Sequence, residues 1–200
     1  LALSDFSTVY IGGSDGRKVV RSLLAQLVTL HGPEAVRIMV CGHPRSWPWL
    51  PWIPHSDGQE AFPDPEDVVT ALDDYWSDMS GASGSRDDSG PQVVLIIDGA
   101  APLTVAHHLA VANVIVVGTP DEDVMSETQR QQRRHVMDQW EAQAADEGIA
   151  LRADHGMISA LTTSGLDTFA QADTLSEQEL DVLAGHVVVD PMTALVARRR

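Results

Sequence analysis

The run Val93-Val94-Leu95-Ile96-Ile97 carries apolar side chains on both faces of an extended chain. A strand of this kind belongs in the middle of a covered parallel sheet, where helices pack on each face. Val114-Ile115-Val116-Val117 has the same character. Elsewhere, short β-branched runs alternate with longer helical patterns, the arrangement of an α/β domain. Thr8-Val9-Tyr10-Ile11 predicts a strand ending at Gly12-Gly13. Val20, Leu23, Leu24, Leu27, Val28 and Leu30 fall mostly on one face of a helix from Arg17 to Leu30, which His31-Gly32-Pro33 stops, with glycine as its cap. Val36 to Cys41 predicts the next strand, paired in parallel with the first through a right-handed crossover.

Pro65 opens a second helix with Asp64 as N-cap and Val68, Val69, Leu72, Tyr75 and Trp76 as its buried stripe. Ser80 to Gly90 predicts a flexible loop, and Leu103 to Ala112 a short helix. Glu127 to Glu147 predicts a polar helix with Val136, Met137 and Trp140 inward, closed by Gly148. Ile149 to Ala153 and Met157 to Thr162 predict strands turning at His155-Gly156, with a further short strand near Asp167 to Ala170. Ser176-x-x-Glu179 predicts a capping box at the start of a helix from Glu177 to about Val187. The expected fold is one 200-residue α/β domain: a P-loop NTPase-like core with a mostly parallel sheet flanked by helices, followed by a small C-terminal β-meander and helix.

Composition limits the partners. Thirteen basic against twenty-nine acidic side chains give a net charge of −16, and such a surface repels nucleic acid and anionic lipid. The single cysteine, Cys41, excludes an internal disulfide and a cysteine-based zinc cage. No apolar run reaches the ~18 residues that a membrane-spanning helix needs. The chain opens without a signal-peptide pattern and reads as a piece of a longer polypeptide.

The turn after the first strand, Gly12-Gly13-Ser14-Asp15-Gly16-Arg17-Lys18-Val19, has the position of a phosphate-binding loop. A working loop of that class reads G-x-x-x-x-G-K-[ST], its lysine neutralising phosphate and its hydroxyl holding Mg²⁺. Here Gly12 and Gly16 lie one residue too close, Arg17 displaces Lys18, and Val19 stands where the hydroxyl belongs. Asp15 adds a negative charge. A tight strand–helix turn fits these residues better than a nucleotide site. Asp98-Gly99 closes the apolar strand where P-loop ATPases keep an acidic Mg²⁺ residue, yet the neighbour is glycine and not a water-orienting glutamate. Gly12, Gly13, Gly16, Arg17, Lys18 and Asp98 are therefore candidates for a degenerate nucleotide site. If the turn is collapsed, with Asp15 or Arg17 filling its space, the domain works by contact. If it is open, Lys18 on phosphate and Asp98 on Mg²⁺ would make an active NTPase with an atypical loop.

Trp47-Pro48-Trp49-Leu50-Pro51-Trp52-Ile53-Pro54-His55 holds three of the five tryptophans in six residues. The prolines stiffen it toward extended geometry. Its indoles either seal one end of the sheet or serve as an anchor for a neighbour, and the expectation is some of each. Trp47, Trp49, Trp52 and His55 are the interface candidates. The histidines have no metal spacing; His107 and His108 point about 100° apart on a helix. Arg130, Arg133 and Arg134 are expected on a solvated helix face. No catalytic residue and no metal ligand set is assigned.

Several of these segments together resemble one family. Leu23 to His31 (LLAQLVTLH), Gly32-Pro33-Glu34 with the strand Val36 to Val40, W-x-W-x-x-W-x-P-H at positions 47–55, the strand ending Asp98-Gly99, and Gln171 to Ser176 are similar to EccC, the FtsK/SpoIIIE-type ATPase of type VII (ESX) secretion systems. The match is to the domain preceding its first conventional ATPase module. The resemblance implies a P-loop-like fold with a decayed nucleotide site, without a bound cofactor in the favoured reading and with ATP and Mg²⁺ in the alternative. It also implies a membrane-anchored parent ATPase with this domain on the cytoplasmic side, contacting other domains of that ATPase and neighbouring membrane subunits of the secretion system.

Overall fold

The computed structural model of the chain describes residues 8–83, 91–99, 112–118, 127–176, 178–180 and 182. Its elements are β1 (Thr8–Gly12), α1 (Gly16–Leu30), β2 (Val36–Gly42), α2 (Pro65–Ser83), β3 (Gln92–Asp98), β4 (Asn113–Gly118), α3 (Glu127–Glu147), β5 (Ile149–Asp154), β6 (Met157–Thr162) and β7 (Gly165–Gln171). The strands form one seven-stranded sheet in the order β2-β3-β4-β1-β5-β6-β7. The first five in that order run parallel, and β6 and β7 are antiparallel additions at one edge.

The doubly apolar strands sit where their sequence requires. β3 lies between β2 and β4, with Leu95 paired to Met39 and Val114. Side chains alternate between two cores. Val94, Ile96, Ile115, Val117, Val9 and Ile11 face α1 through Val20 and Leu24. Val93, Leu95, Ile97, Val114, Val116 and Tyr10 face α2 and α3 through Val68, Leu72, Met137 and Trp140. Each fully buried aliphatic side chain contributes about 1.5–3 kcal/mol, so this double burial dominates the fold. Beneath α3, burial and the nearby Glu141 push the Tyr10 hydroxyl up to about 12.

Several expectations change. β1 and β2 lie in the same sheet but do not pair; β3 and β4 lie between them. α1 ends on His31 in extended geometry, its N–H donating to the Leu27 carbonyl (3.0 Å), so histidine and not Gly32 is the cap. α2 opens as expected, Glu66 N–H donating to the Asp64 carboxylate (2.9 Å), but runs on to Ser83 through part of the expected loop. The late meander is continuous with the main sheet, because β5 pairs with β1. His155 and Gly156, at φ +51° and +74°, make the tight turn that joins β5 and β6. Arg133 is buried, unlike Arg130 and Arg134. At the C-terminal end, Ser176 and Glu179 form the capping box. The expected helix at 103–112 up to its last residue, the pair His107-His108, most of the loop at 80–90 and most of the last helix lie outside the described residues.

Candidate functional site at the turn after the first strand

Gly13 takes φ +92°, a conformation that favours glycine, and a Cβ there would collide with the Ala153 carbonyl. The turn needs that glycine because the end of β5 is packed against it. Ser14 donates its backbone N–H to Asp154 Oδ1 (2.7 Å) and its hydroxyl to the same oxygen (3.0 Å). Asp15 N–H donates to the Ala153 carbonyl (2.9 Å), and Gly16 N–H to the Gly13 carbonyl (3.2 Å). These three successive N–H groups are the ones a phosphate in such a loop would need, and each has a protein acceptor.

The side chains are neutralised in the same way. Asp15 accepts from Lys18 Nζ (2.8 Å) on one oxygen and from Gly156 N–H (3.0 Å) on the other. The Lys18 ammonium is the main cause holding its carboxyl below the usual range. Asp154, held low chiefly by the Ser14 N–H, also accepts from Arg152 Nε (3.0 Å). Arg17 forms a fork on Asp98: Nε to Oδ2 at 2.8 Å and Nη2 to Oδ1 at 2.9 Å. Trp47 Nε1 adds a third bond to Asp98 Oδ2 (2.9 Å). The Asp98 side chain is 1% exposed, so this pair is largely out of water. Gly42 brings β2 against it, since a Cβ at that position would stand 2.9 Å from the Asp98 carbonyl oxygen.

Five of the six candidate residues of the degenerate site are thus part of one small network or its flank: Gly13, Gly16, Arg17, Lys18 and Asp98. Gly12 ends β1 beside Tyr10. A triphosphate with Mg²⁺ does not fit this arrangement. Its phosphates would compete for N–H groups already bonded, and Val19 supplies no metal-holding oxygen. The Asp98 oxygens that would face a hydrated cation are covered by a guanidinium and an indole. Among the described residues, no group of three or more His, Cys, Asp or Glu side chains could hold a metal ion. Asp154 and Gly156 went unnoticed in the sequence. They stand some 140 residues from the turn they clamp, and only the short-turn pattern at His155-Gly156 hinted at a hairpin there.

The tryptophan segment is not extended. It and the residues just before it fold as three 3-10 turns, Pro44–Ser46, Leu50–Trp52 and Pro54–Ser56, because each proline suits the start of a turn and local acceptors are available. His43 Nδ1 accepts from Arg45 N–H, and the Ser56 hydroxyl donates to the Leu50 carbonyl (2.7 Å). Trp47 and Trp49 are 1% and 2% exposed and pack ring against ring at 5.7 Å. His55 is also buried, its Nε2 2.8 Å from the His31 carbonyl oxygen. Burial pushes its ring pKa down. Three of the four interface candidates therefore act inside the domain: Trp47 on Asp98, Trp49 against Trp47, and His55 on the end of α1. Trp52, 64% exposed, alone reaches the surface.

No family model matches the chain. The ESX-3 secretion system protein EccC3 of Mycobacterium tuberculosis is 27% identical over 192 residues, covering 84% of this chain and 13% of that protein. The cytoplasmic domain of the Thermomonospora curvata type VII secretion ATPase EccC superposes with TM-score 0.51 at 12% identity, over 88% of this chain and 25% of that one. EssC (ATPases 2 and 3) from Geobacillus thermodenitrificans superposes with TM-score 0.54 at 9% identity, over 96% and 45%. The chain thus spans about an eighth of the length of its EccC3 relative. In sequence it is a relative of EccC-type ESX secretion ATPases, and its mixed α/β fold is that of the EccC and EssC ATPase domains.

Proposed function

We propose that this domain is a non-catalytic interaction module of a membrane-anchored type VII secretion ATPase, held on the cytoplasmic side and linking the membrane region to the motor modules downstream. The observation that carries this reading is the Arg17 fork on Asp98, a guanidinium seated where an ATPase of this fold would keep its metal. The bonded turn N–H groups support it. Asp98 here is a structural anchor for α1 and for the tryptophan segment. Trp52, exposed at the end of a short turn whose backbone is already ordered, is the contact offered to another domain of the same ATPase or to a neighbouring membrane subunit. Among the described residues no helix is long and apolar enough to cross a membrane, so on this reading the anchor lies elsewhere in the parent protein.

Calorimetric titration of the chain with Mg-ATP tests the proposal. The expected result is no saturable binding up to millimolar nucleotide and no phosphate release. Binding or turnover that disappears in Lys18→Ala and Asp98→Ala would refute it and restore the active-NTPase reading.

A further inference from the structure

After β7 the chain returns to the shut turn. Ala172 N–H donates to the Gly156 carbonyl at 2.7 Å, and Leu175 N–H to the Lys18 carbonyl, in the first turn of α1, at 3.3 Å. Ala172 and Leu175 pack against the α1 core, and Leu180 lies inside it at 1% exposure. Between them Ser176 N–H donates to the Glu179 carboxylate (2.8 Å), and Leu180 N–H to the Ser176 carbonyl (3.1 Å). Residues 172–176 and 178–180 thus form a strap against α1, held by backbone at two points and by a buried leucine at a third.

Both acceptors of the strap belong to residues that close the turn. Gly156 gives its N–H to Asp15 Oδ2 and its carbonyl to Ala172. Lys18 gives its ammonium to Asp15 Oδ1 and its carbonyl to Leu175. One residue earlier, Arg17 holds Asp98, and Asp98 accepts from the Trp47 indole. Arg17 and Lys18 are neighbours in one helical turn and keep fixed positions relative to each other. The place a triphosphate would take in a working site is here a joint, with the strap on one side and the tryptophan segment on the other.

We infer that this joint couples the two: the strap and the tryptophan segment open together with the turn, as one cooperative unit separate from the central strands. A turn that opens takes away both backbone acceptors of the strap. A strap that lifts withdraws Leu180 from the α1 core and unties Gly156 and Lys18, the two residues that hold Asp15. Leu180 and Trp47, each 1% exposed, are close-packed anchors, so the unit switches between seated and released and does not stretch. β3 and β4 stay out of it because they are buried on both faces. The consequence for regulation rests on the interaction-module reading above: a partner that takes Trp52, five residues beyond Trp47, shifts the strap, and a pull on the strap shifts Trp52.

Native-state hydrogen exchange of the whole chain in low urea, read by NMR, is the test. In the unsubstituted chain the Asp15, Gly156, Ala172 and Leu175 amides and the Trp47 indole N–H share one opening free energy and one urea slope. Both lie below those of the Leu95 and Ile115 amides. Leu180→Ala speeds exchange of the Trp47 indole about fivefold, the lower end of ordinary coupling between sites. Trp47→Phe speeds the Ala172 and Leu175 amides to a similar degree, because coupling is reciprocal. Met137→Ala, which cuts the core on the other sheet face, leaves strap, turn and indole unchanged. Different slopes for strap and turn, an indole indifferent to Leu180→Ala, or one that responds equally to Met137→Ala would each overturn the inference. The urea measurement stands whether or not the variants fold. No readout involves nucleotide, so this coupling and the Mg-ATP titration above can fail independently.

Discussion

Replacing Arg17 with methionine keeps most of the aliphatic stem and deletes the guanidinium. Among the described residues Asp98 is left with one side-chain donor, Trp47 Nε1, in a setting where its side chain is 1% exposed. Two charge-assisted bonds, at 2.8 and 2.9 Å, are lost. Each such bond contributes about 1.5–3 kcal/mol net. The Arg17 side chain is 17% exposed, so the pair is not fully withdrawn from water and part of the desolvation cost returns on its removal. The balance for breaking a largely buried pair on one side is a loss of about 3 kcal/mol.

Asp98→Asn removes the charge but keeps the shape, and leaves Arg17 beside the solvent it can partly reach. We expect this variant to lose about 1–2 kcal/mol. In the double variant the buried charge and its partner are gone together. Its loss should fall short of the sum of the two by about 2 kcal/mol, well outside the ~0.5 kcal/mol scatter of independent sites. Urea unfolding followed by tryptophan fluorescence measures all four corners of the cycle, with Trp47 as a probe beside Asp98. Additive losses, or a loss below ~0.5 kcal/mol for Arg17→Met, the range of ordinary surface substitutions, would refute the view that this pair holds the turn shut.

Two further outcomes follow from the same geometry. Gly13→Ala forces a side chain onto the Ala153 carbonyl at φ +92°, and should lower the urea midpoint by the equivalent of about 2–3 kcal/mol, with an unchanged denaturant slope. His55 is buried, its Nδ1 has no partner among the described residues, and its pKa is pushed below the ordinary 6.5. Its unfolded state therefore takes up the proton first on acidification, so stability present above about pH 6.5 drains away as pH falls. His55→Gln, which keeps a donor for the His31 carbonyl, should flatten the pH dependence of the urea midpoint between 7.5 and 5.5; an unchanged slope would remove His55 from the explanation.

What the sequence disclosed and what it withheld divide along the range of the interactions involved. The central strands were legible because burial on both faces leaves a local signature, five apolar residues in a row. The Asp64 cap, the capping box at Ser176 and the polar helix α3 were legible for the same reason, their causes lying within a turn or two of chain. Strand order was not, because nothing in β1 or β2 records that β3 and β4 come between them. The turn from Gly12 to Val19 shows the divide inside one site. Its mismatches to a phosphate loop could be read residue by residue, yet the acceptors that occupy its N–H groups belong to Ala153 and Asp154, which only the closed sheet delivers. The tryptophan segment shows it again. Proline content correctly excluded regular helix and central strand, but the Ser56 hydroxyl on the Leu50 carbonyl and Trp47 on Asp98 decide which indoles turn inward. Trp47 reaches inward because the chain places a buried carboxylate in range of its N–H. A substitution that merely neutralises Asp98 therefore bears on the tryptophan segment as well as on the turn, through a contact spanning 51 residues.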